Sequence, residues 1–125
     1  MQLILSAYSV LLVALVSSQT STPCTSSFSA FQGAYYSLIA TNATWDVSNA
    51  ICQNCGGQML GWPTSAERTF IDQTLGAGLP AWSSAWVNLR QDDWCSFYVV
   101  NSSKQFSGTN CQLPLGYVLC KKSTA

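Results

Sequence analysis

The stretch 45–67, WDVSNAICQNCGGQMLGWPTSAE, decides the fold, and its first half predicts a helix over 44–55. Thr44 is a favourable N-cap residue, and the pair Gly56-Gly57 ends the helix. Apolar side chains recur four residues apart along this helix, which predicts one buried stripe. The stripe comprises Val47, Ile51 and Cys55, and Trp45 and Cys52 lie on a neighbouring face.

The second half of the stretch predicts another helix. Thr64 and Glu67 have the spacing of a capping box, in which each side chain accepts a hydrogen bond from the other residue's backbone N–H. Apolar residues on the following turns supply a side to bury, and a segment containing Gly and Pro ends the helix. The apolar residues are Phe70, Ile71 and Leu75, and the terminating residues are Gly76, Gly78 and Pro80.

Segments rich in aromatic and β-branched residues surround the two helices and predict strands. One such segment precedes the helices and the others follow them, an order that indicates an α+β domain rather than alternating βαβ units. The polar segment 101–110 is predicted to be a turn. The predicted strands lie at 28–39, 85–89, 94–100 and 116–120.

A spaced string of residues runs through the chain from the first helix to the last strand. It comprises Trp45, Cys52, Gly56, Gly57, Glu67, the segment WVNL at 86–89, Cys111 and Cys120. Over residues 31–120 this pattern resembles the C-type lectin-like domain family. The resemblance implies a C-type lectin-like α+β fold, with two helices packed on antiparallel sheets and stabilised by disulfides.

The resemblance also implies a disulfide plan with two family pairs. These pairs are Cys52–Cys120 and Cys95–Cys111. The remaining cysteines depart from the pattern, because many members pair an N-terminal cysteine with a position that is Ala34 here. Cys24 and Cys55 therefore either bond each other, which is the simpler interpretation, or link two chains.

The first residues of the chain predict export. The apolar block 3–16 is followed by small residues, which is typical of a secretory signal peptide over 1–18. A Ser- and Thr-rich lead-in occupies 19–27, and the C-type lectin-like domain is predicted over 28–125. An even number of cysteines in a short exported domain favours disulfides, and Asn42 and Asn101 begin predicted glycosylation sequons. The predicted location is secreted and extracellular.

Composition excludes several classes of function. Charged residues make up 8% of the chain and balance to a net charge of zero, so no basic surface exists for nucleic acid or an anionic membrane. The chain has no His, the commonest general base and metal ligand. The pattern CQNC at 52–55 ends a helix, where the helix dipole does not activate a thiol. The sequence therefore predicts that the protein is not an enzyme.

The resemblance raises the question of calcium. Sugar-binding members of the family hold calcium with Glu-Pro-Asn or Gln-Pro-Asp in a long loop and with Trp-Asn-Asp on a later strand. None of these three tripeptides occurs here, and only RQDDW at 90–94 separates Leu89 from Cys95. Calcium takes about six to eight oxygen ligands, whereas Asp92 and Asp93 would point to opposite faces of an extended segment. The prediction is that the protein binds neither calcium nor another cofactor.

The short segment after Leu89 nevertheless contains the candidate ligand-binding residues. They are Arg90, Asp92, Asp93 and Trp94. Adjacent carboxylates diverge, so this pair does not suit glycoside hydrolysis. Trp45, Trp62 and Trp86 are predicted to be core residues, and burial is also the favoured interpretation for Trp82 and Trp94 over stacking on a ligand.

Two functions remain after these exclusions. The first is calcium-independent recognition of an extracellular protein or glycan through the end of the domain that carries the short segment. The alternative is a structural extracellular component, or a subunit joined to another chain by a disulfide from Cys24 or Cys55.

Overall fold

The computed structural model of the protein describes residues 23–102 and 106–125. The predicted signal peptide, residues 1–18, and residues 19–22 of the lead-in lie outside the described residues. In the described part, no helix is long and apolar enough to cross a membrane. The elements are β1 Ser29–Phe31, β2 Ala34–Ala43, α1 Trp45–Asn54, β3 Gln58–Met59, α2 Ser65–Phe70, β4 Ser84–Gln91, β5 Trp94–Val99, β6 Phe106–Asn110 and β7 Leu115–Lys122.

The strands form one sheet in the order β1-β2-β7-β4-β5-β6, and β3 also pairs with β7. The central strand β7 is antiparallel to β2 and parallel to β4, where Ala85 faces Tyr117 and Trp86 faces Val118. The predicted fold class with two helices is confirmed, but the sheet is mixed rather than wholly antiparallel. The parallel pair arises because the chain leaves the edge strand β6 and crosses over residues 111–114 to place β7 beside β4.

The first predicted strand, 28–39, is a hairpin formed by β1 and β2. Gln32 and Gly33 connect the two strands with φ values of 48° and 81°. Two consecutive positive φ angles are those of a type I′ turn, whose twist matches that of the flanking strands. β2 then continues to Ala43 and forms the longest ladder with β7.

The predicted turn over 101–110 contains strand β6, and this prediction is wrong for residues 106–110. Trp94 pairs with Asn110, and Tyr98 pairs with Phe106, so β5 and β6 form an antiparallel ladder. The strand has the sequence FSGTN, with a single β-branched residue. Its intrinsic β propensity is low, and pairing with β5 determines its conformation.

Helix α1 begins where the sequence predicts, but it buries a different face. Thr44 caps the helix through its side chain, which accepts a hydrogen bond from Val47 N at 3.4 Å. The buried residues are Trp45, Ser48 and Cys52. The predicted stripe is wrong because the disulfide of Cys52 turns that side toward β7, and Val47 and Ile51 line an open groove of about 850 Å³ instead.

Helix α2 starts with the predicted capping box. Thr64 N donates to Glu67 Oε1 at 2.9 Å, and Glu67 N donates to Thr64 Oγ1 at 3.1 Å. The helix continues as a π-helical turn over Ile71–Leu75, closed by a 2.7 Å bond from Gly76 N to Ile71 O. Ile71 is completely buried, as expected for the apolar side of this helix.

The Glu67 carboxylate also joins α2 to two strands. Oε2 accepts hydrogen bonds from Tyr36 on β2 and from Lys121 Nζ on β7, the latter at 3.0 Å. Burial opposes ionisation of Glu67, but the hydrogen bonds from Thr64, Tyr36 and Lys121 outweigh burial and lower the pKa of its carboxyl. Burial and the bond to Glu67 raise the pKa of Tyr36, and the same carboxylate raises the pKa of Lys121. The charge of Glu67 is therefore part of the framework of the domain.

Three disulfides hold the ends of the domain to its centre. The pairs are Cys24–Cys55, Cys52–Cys120 and Cys95–Cys111. These are the family pairs that the resemblance implies, together with the simpler arrangement of the two leftover cysteines. All six cysteines lie in the described part of the chain and none is free, so neither Cys24 nor Cys55 has a thiol available for a second chain.

Candidate functional site

The β4–β5 hairpin carries all four predicted ligand-binding residues. Gln91 pairs with Trp94, so the connection between the two strands is a turn formed by Asp92 and Asp93. Asp92 has a φ of 53°, which the short polar side chain of Asp tolerates. Cys111 N donates to Asp93 O at 3.0 Å and fixes the turn against the start of the final crossover. The long loop that sugar-binding members of the family use is replaced by this turn.

Arg90 is directed to the α1 side of the hairpin. Its Nη1 donates to Asp46 Oδ1 at 3.0 Å, and its Nε donates to the Asp92 carbonyl oxygen at 2.8 Å. The guanidinium carbon lies 5.1 Å from the centroid of the Trp45 ring, in a cation–π arrangement. Two donors of Arg90 are thus used within the domain, and this residue connects the hairpin to α1.

Trp94 lies on the opposite side of the hairpin from Arg90. Directly opposed residues of an antiparallel pair share a face, and consecutive residues alternate between faces. Arg90 pairs with Cys95, whereas Trp94 pairs with Gln91 and Asn110. The structure therefore divides the predicted site between two faces.

The indole of Trp94 covers Gly108 on the neighbouring strand. A Cβ atom placed on Gly108 would lie 2.2 Å from Nε1 and 2.8 Å from Cε2 of this indole. Only glycine leaves room for a ring so close to the β6 backbone. One side of the Trp94 ring is therefore packed on the sheet, while 59% of the residue remains exposed.

Trp62 occupies a similar position two residues along β6. Its ring stacks on Phe106, with centroids 4.1 Å apart and planes inclined by 15°. Phe106 in turn contacts the buried Tyr98 edge-on at 5.4 Å. Trp62 is 62% exposed, so its outer ring face is open to solvent while its inner face is supported.

The core prediction is confirmed for Trp45 and Trp86 and wrong for the other three tryptophans. Trp45 Nε1 donates to Val87 O at 3.0 Å, and Trp86 Nε1 donates to Ala43 O at 2.9 Å. By contrast, exposure reaches 62% for Trp62, 73% for Trp82 and 59% for Trp94. One signal in the sequence is the position of Trp62 between Gly61 and Pro63, a dipeptide context typical of a loop.

We define the aromatic face as the surface formed by Trp62, Trp94, Phe106 and Gly108. Residues i and i+2 of β6 point to the same side, so Phe106 and Gly108 place the two indoles on one sheet face. β5 and β6 contribute only uncharged residues to this side of the sheet. These residues are Trp94, Ser96, Tyr98, Phe106, Gly108 and Asn110.

Polar groups border the aromatic face at both ends. At the turn end, the amides of Gln91 and Asn110 flank Trp94, and Asn110 Oδ1 accepts a bond from Gln112 N at 2.8 Å. At the other end, Tyr98 Oη donates to Asp72 Oδ1 at 2.8 Å. Burial and this carboxylate raise the pKa of Tyr98. The hydroxyl of Tyr98 therefore remains protonated at neutral pH.

The residues at the hairpin do not fit a calcium ion of the kind that the family implies. Among residues 23–102 and 106–125, no group of three or more His, Cys, Asp or Glu side chains is close enough to hold a metal. The turn supplies the carboxylates of Asp92 and Asp93, and β6 supplies no carboxylate. Calcium needs about six or more oxygens, usually with several carboxylates among them.

The two predicted glycosylation residues lie at positions of positive φ. Asn42 is exposed in the bulge of β2, with a φ of 46°. Asn101 has a φ of 58°, and its Nδ2 donates to Gly76 O at 3.1 Å. Modification of either residue stays a prediction.

Comparison with known proteins identifies the fold. No protein-family model matches the chain. CD209 antigen-like protein D of Mus musculus is 33% identical over 60 residues, which are 48% of this chain and 25% of the relative. The chain thus spans about a quarter of the length of this curated relative.

Solved structures match over most of the described domain. The C-type carbohydrate-recognition domain of cow CD23, crystallised in the presence of GlcNAc2Man3 oligosaccharide, is 16% identical with a TM-score of 0.64, covering 82% of this chain and 97% of its own. EMS16, an antagonist of integrin alpha2beta1, is 19% identical with a TM-score of 0.63 and coverages of 78% and 97%. Herring type II antifreeze protein is 16% identical with a TM-score of 0.64 and coverages of 82% and 100%.

These likenesses, the mixed sheet with two helices and the disulfides define a C-type lectin-like domain. The chain has the C-type lectin-like fold, and the resemblance drawn from its sequence is confirmed. It is a compact form, in which the turn at Asp92 and Asp93 directly joins β4 to β5.

Proposed function

We propose that this protein is a secreted binding module that recognises an extracellular protein or glycan through the aromatic face, without calcium and without catalysis. The observation that carries the proposal is the presence of two exposed indoles, Trp62 and Trp94, side by side on one face of the sheet. The alternative of a disulfide-linked structural subunit has no supporting observation, since the cysteines are paired within the chain.

The aromatic face has the properties of a recognition surface rather than of a packing defect. Scattered exposed apolar residues are normal, whereas adjacent large ones mark sites of interaction. Here each indole is supported from below, by Phe106 or by the Gly108 backbone, so its position is fixed before a ligand arrives. Pre-positioned rings lose little conformational entropy on binding.

Calcium independence is supported by the small number of carboxylate ligands around the hairpin. Arg90 and Asp46 neutralise each other on the α1 side, and the aromatic face has no carboxylate from β5 or β6. A ligand at this face is therefore bound by ring contacts and neutral hydrogen bonds rather than through a divalent ion.

The structural neighbours support binding as the general class of function. Cow CD23 contributes a carbohydrate-recognition domain that was crystallised with an oligosaccharide present, and EMS16 is an antagonist of an integrin. Binding of a protein or a glycan by this chain is thus in keeping with what proteins of the same fold do. The absence of His from the sequence supports a role without general acid–base catalysis.

Three disulfides and the predicted signal peptide support an extracellular location. The low charge of the chain, 8% with a net charge of zero, argues against a nucleic acid or an anionic membrane as partner.

The proposal is tested by a binding screen of the full protein in EDTA, against a glycan array and a panel of extracellular proteins. Trp94→Ala is expected to weaken binding of the partner found in the screen about tenfold or more. A Trp side chain that becomes buried in the complex supplies much of the binding energy of a small contact. Trp82→Ala is the matched control, since Trp82 is also exposed but precedes β4 at the end of the hairpin opposite the turn. Equal binding by the parent and Trp94→Ala would contradict the proposal, as would binding that requires calcium.

A further inference from the structure

We infer that the ligand of the aromatic face is a neutral, extended glycan, with one sugar ring on Trp94 and another on Trp62. This inference rests on the proposed function and specifies its ligand class. It follows from the stacking of Trp62 and the placement of Trp94 over the same strand, from the absence of charge on β5 and β6, and from the polar groups at the border of the face.

The orientation of the rings favours a sugar over a protein. Tryptophans that anchor protein–protein contacts insert into well-packed pockets of the partner. Trp62 stacks on Phe106 with nearly parallel ring planes and so presents one ring face outward, and the Nε1 side of the Trp94 indole is held against Gly108 while 59% of the residue stays exposed. A flat apolar surface of one ring's size matches the face of a pyranose, whose C–H groups point to one side and whose hydroxyls lie around its rim.

The spacing of the rings implies more than one sugar unit. Phe106 and Gly108, on which the two indoles rest, are two residues apart on β6, a separation of about 7 Å along an extended strand. A single pyranose cannot cover two indoles that rest on separate residues of the strand. A linear oligosaccharide running along β6 places neighbouring or next-neighbouring units on the two rings.

The border of the face supplies groups that suit hydroxyls. Gln91 and Asn110 flank Trp94, and Ser96 lies beside Gly108 across the β5–β6 ladder. Amides and hydroxyls both donate and accept hydrogen bonds, as recognition of a polyhydroxy ligand requires. β5 and β6 place no charged side chain on this face, and the carboxylates at its ends, Asp92 and Asp93 before Trp94 and Asp72 at Tyr98, disfavour an anion, so a neutral ligand suits it best.

Gly108 acts as a positioning residue in this arrangement. Any side chain at this position meets the Trp94 indole at 2.2 Å and lifts it from the sheet. Gly108→Ala therefore moves the Trp94 indole although both tryptophans are still present in the protein. This variant is expected to weaken binding as much as Trp94→Ala.

The experiment is a calorimetric titration of the full protein in EDTA with neutral oligosaccharides of one to six units. The probes are β-1,4-linked N-acetylglucosamine and β-1,3- and β-1,4-linked glucose, with oligogalacturonate as the anionic control. For the probe bound, affinity is expected to rise about tenfold between one and four units and then to level off, as the second ring contact is added. Trp62→Ala should abolish this gain with length while retaining the affinity for the shortest ligand, and Trp82→Ala should behave like the parent.

The outcomes separate this inference from the proposed function. If no neutral oligosaccharide binds but a protein partner is lost on Trp94→Ala, the glycan inference is wrong and the proposed function stands. If oligosaccharides bind with an affinity independent of length, or equally well to Trp62→Ala, the extended-ligand inference is wrong. Tighter binding of oligogalacturonate would overturn the assignment of a neutral ligand. Unchanged binding to Trp94→Ala and Gly108→Ala would overturn both proposals.

Discussion

The two sides of the β4–β5 hairpin use neighbouring residues in opposite ways. On the α1 side, Arg90 bonds Asp46 and the backbone of the turn and covers Trp45. On the other side, Trp94 rests on Gly108 and turns one ring face to solvent. On the charged side Arg90 is engaged by contacts within the domain, whereas on the uncharged side 59% of Trp94 remains exposed.

This difference indicates where a ligand binds on a domain that has no long loop. The sequence draws attention to the charged residues near the turn, but the ion pair with Asp46 and the bond to the Asp92 carbonyl hold the Arg90 guanidinium against the domain. Within the part of the chain that the structure describes, Trp62 and Trp94 remain 62% and 59% exposed and are open to a partner. A site around Arg90, Asp92, Asp93 and Trp94 stays a prediction, and of these residues our proposal uses Trp94 and adds Trp62.

The division of the hairpin into a structural side and a binding side is tested most strongly by removing the Cys52–Cys120 disulfide, which joins α1 to β7. The double change Cys52→Ala and Cys120→Ala opens a link with a sequence separation of 68 residues, and the loss of unfolding free energy is expected to be about 4 kcal/mol. A loss of this size approaches the whole stability of a small domain. The measurement is the yield of secreted protein and its thermal midpoint.

A matched change on the open side gives the contrast. Trp94→Ala should alter the unfolding free energy by less than about 1 kcal/mol, because most of this residue is already in water. If the two variants lost similar stability, the division into a structural side and a binding side would be wrong.

An effect smaller than that of the disulfide is expected at the Glu67 carboxylate, which supports the framework away from the hairpin. Glu67→Gln should lower the unfolding free energy at pH 7 by about 2 kcal/mol, since it removes charge-assisted bonds to Tyr36 and Lys121. The native pKa of Glu67 is lowered below the ordinary 4.5, so its stabilisation is present above that value and is lost as the pH falls through the native pKa.

Urea unfolding of the parent and of Glu67→Gln between pH 3 and pH 7 measures this dependence. The difference in stability should be constant above the ordinary pKa of 4.5 and should shrink as the pH falls from there through the lower native pKa of Glu67. A gap that is constant with pH would mean that the ionised form of Glu67 contributes nothing to the fold.

A small effect on stability is also expected at Arg90. Its ion pair with Asp46 is partly exposed, so Arg90→Met should reduce the unfolding free energy by about 1 kcal/mol or less. Ligand affinity should stay within about twofold of the parent, because the guanidinium lies on the opposite face from Trp94. A tenfold loss of affinity with unchanged stability would mean that Arg90 belongs to the binding site.

The elements that the sequence predicts well are those controlled by local chemistry or by a distinctive spacing. The caps at Thr44 and Thr64 depend on side chains three residues away, and they form as predicted. The pairing of Cys52 with Cys120 follows from the family pattern rather than from any local property of these residues. Fold class and framework were therefore accessible from the sequence.

The features that were not predictable depend on contacts between distant segments. The buried face of α1 is set by a disulfide to β7, which competes with a more regular apolar stripe. Strand β6 has little intrinsic propensity and exists because β5 pairs with it. Arg90 and Asp46 are separated by 44 residues, and nothing in either local sequence indicates that they meet.

The exposed tryptophans are the clearest example of candidate functional residues whose exposure could not be predicted from the sequence. Trp is apolar enough that burial is the sound expectation from sequence alone. Trp62 becomes exposed because its loop lays it over Phe106, and Trp94 because Gly108 accommodates it from the other strand. The placement of Trp94 requires the register between β5 and β6, and that of Trp62 requires the position of its loop over β6, neither of which the sequence provides.

The most direct test of the central claim follows the indole N–H signals of the five tryptophans by nuclear magnetic resonance, in EDTA, as a neutral oligosaccharide is added. Signals of Trp62 and Trp94 should move together, while those of Trp45 and Trp86, whose Nε1 atoms donate to Val87 and Ala43, and that of Trp82 should stay in place. The claim that a glycan binds at the aromatic face without calcium would be contradicted if the Trp62 and Trp94 signals did not move. The contradicting result would show shifts confined to the backbone amides of 90–93, or shifts that appear only after calcium is supplied.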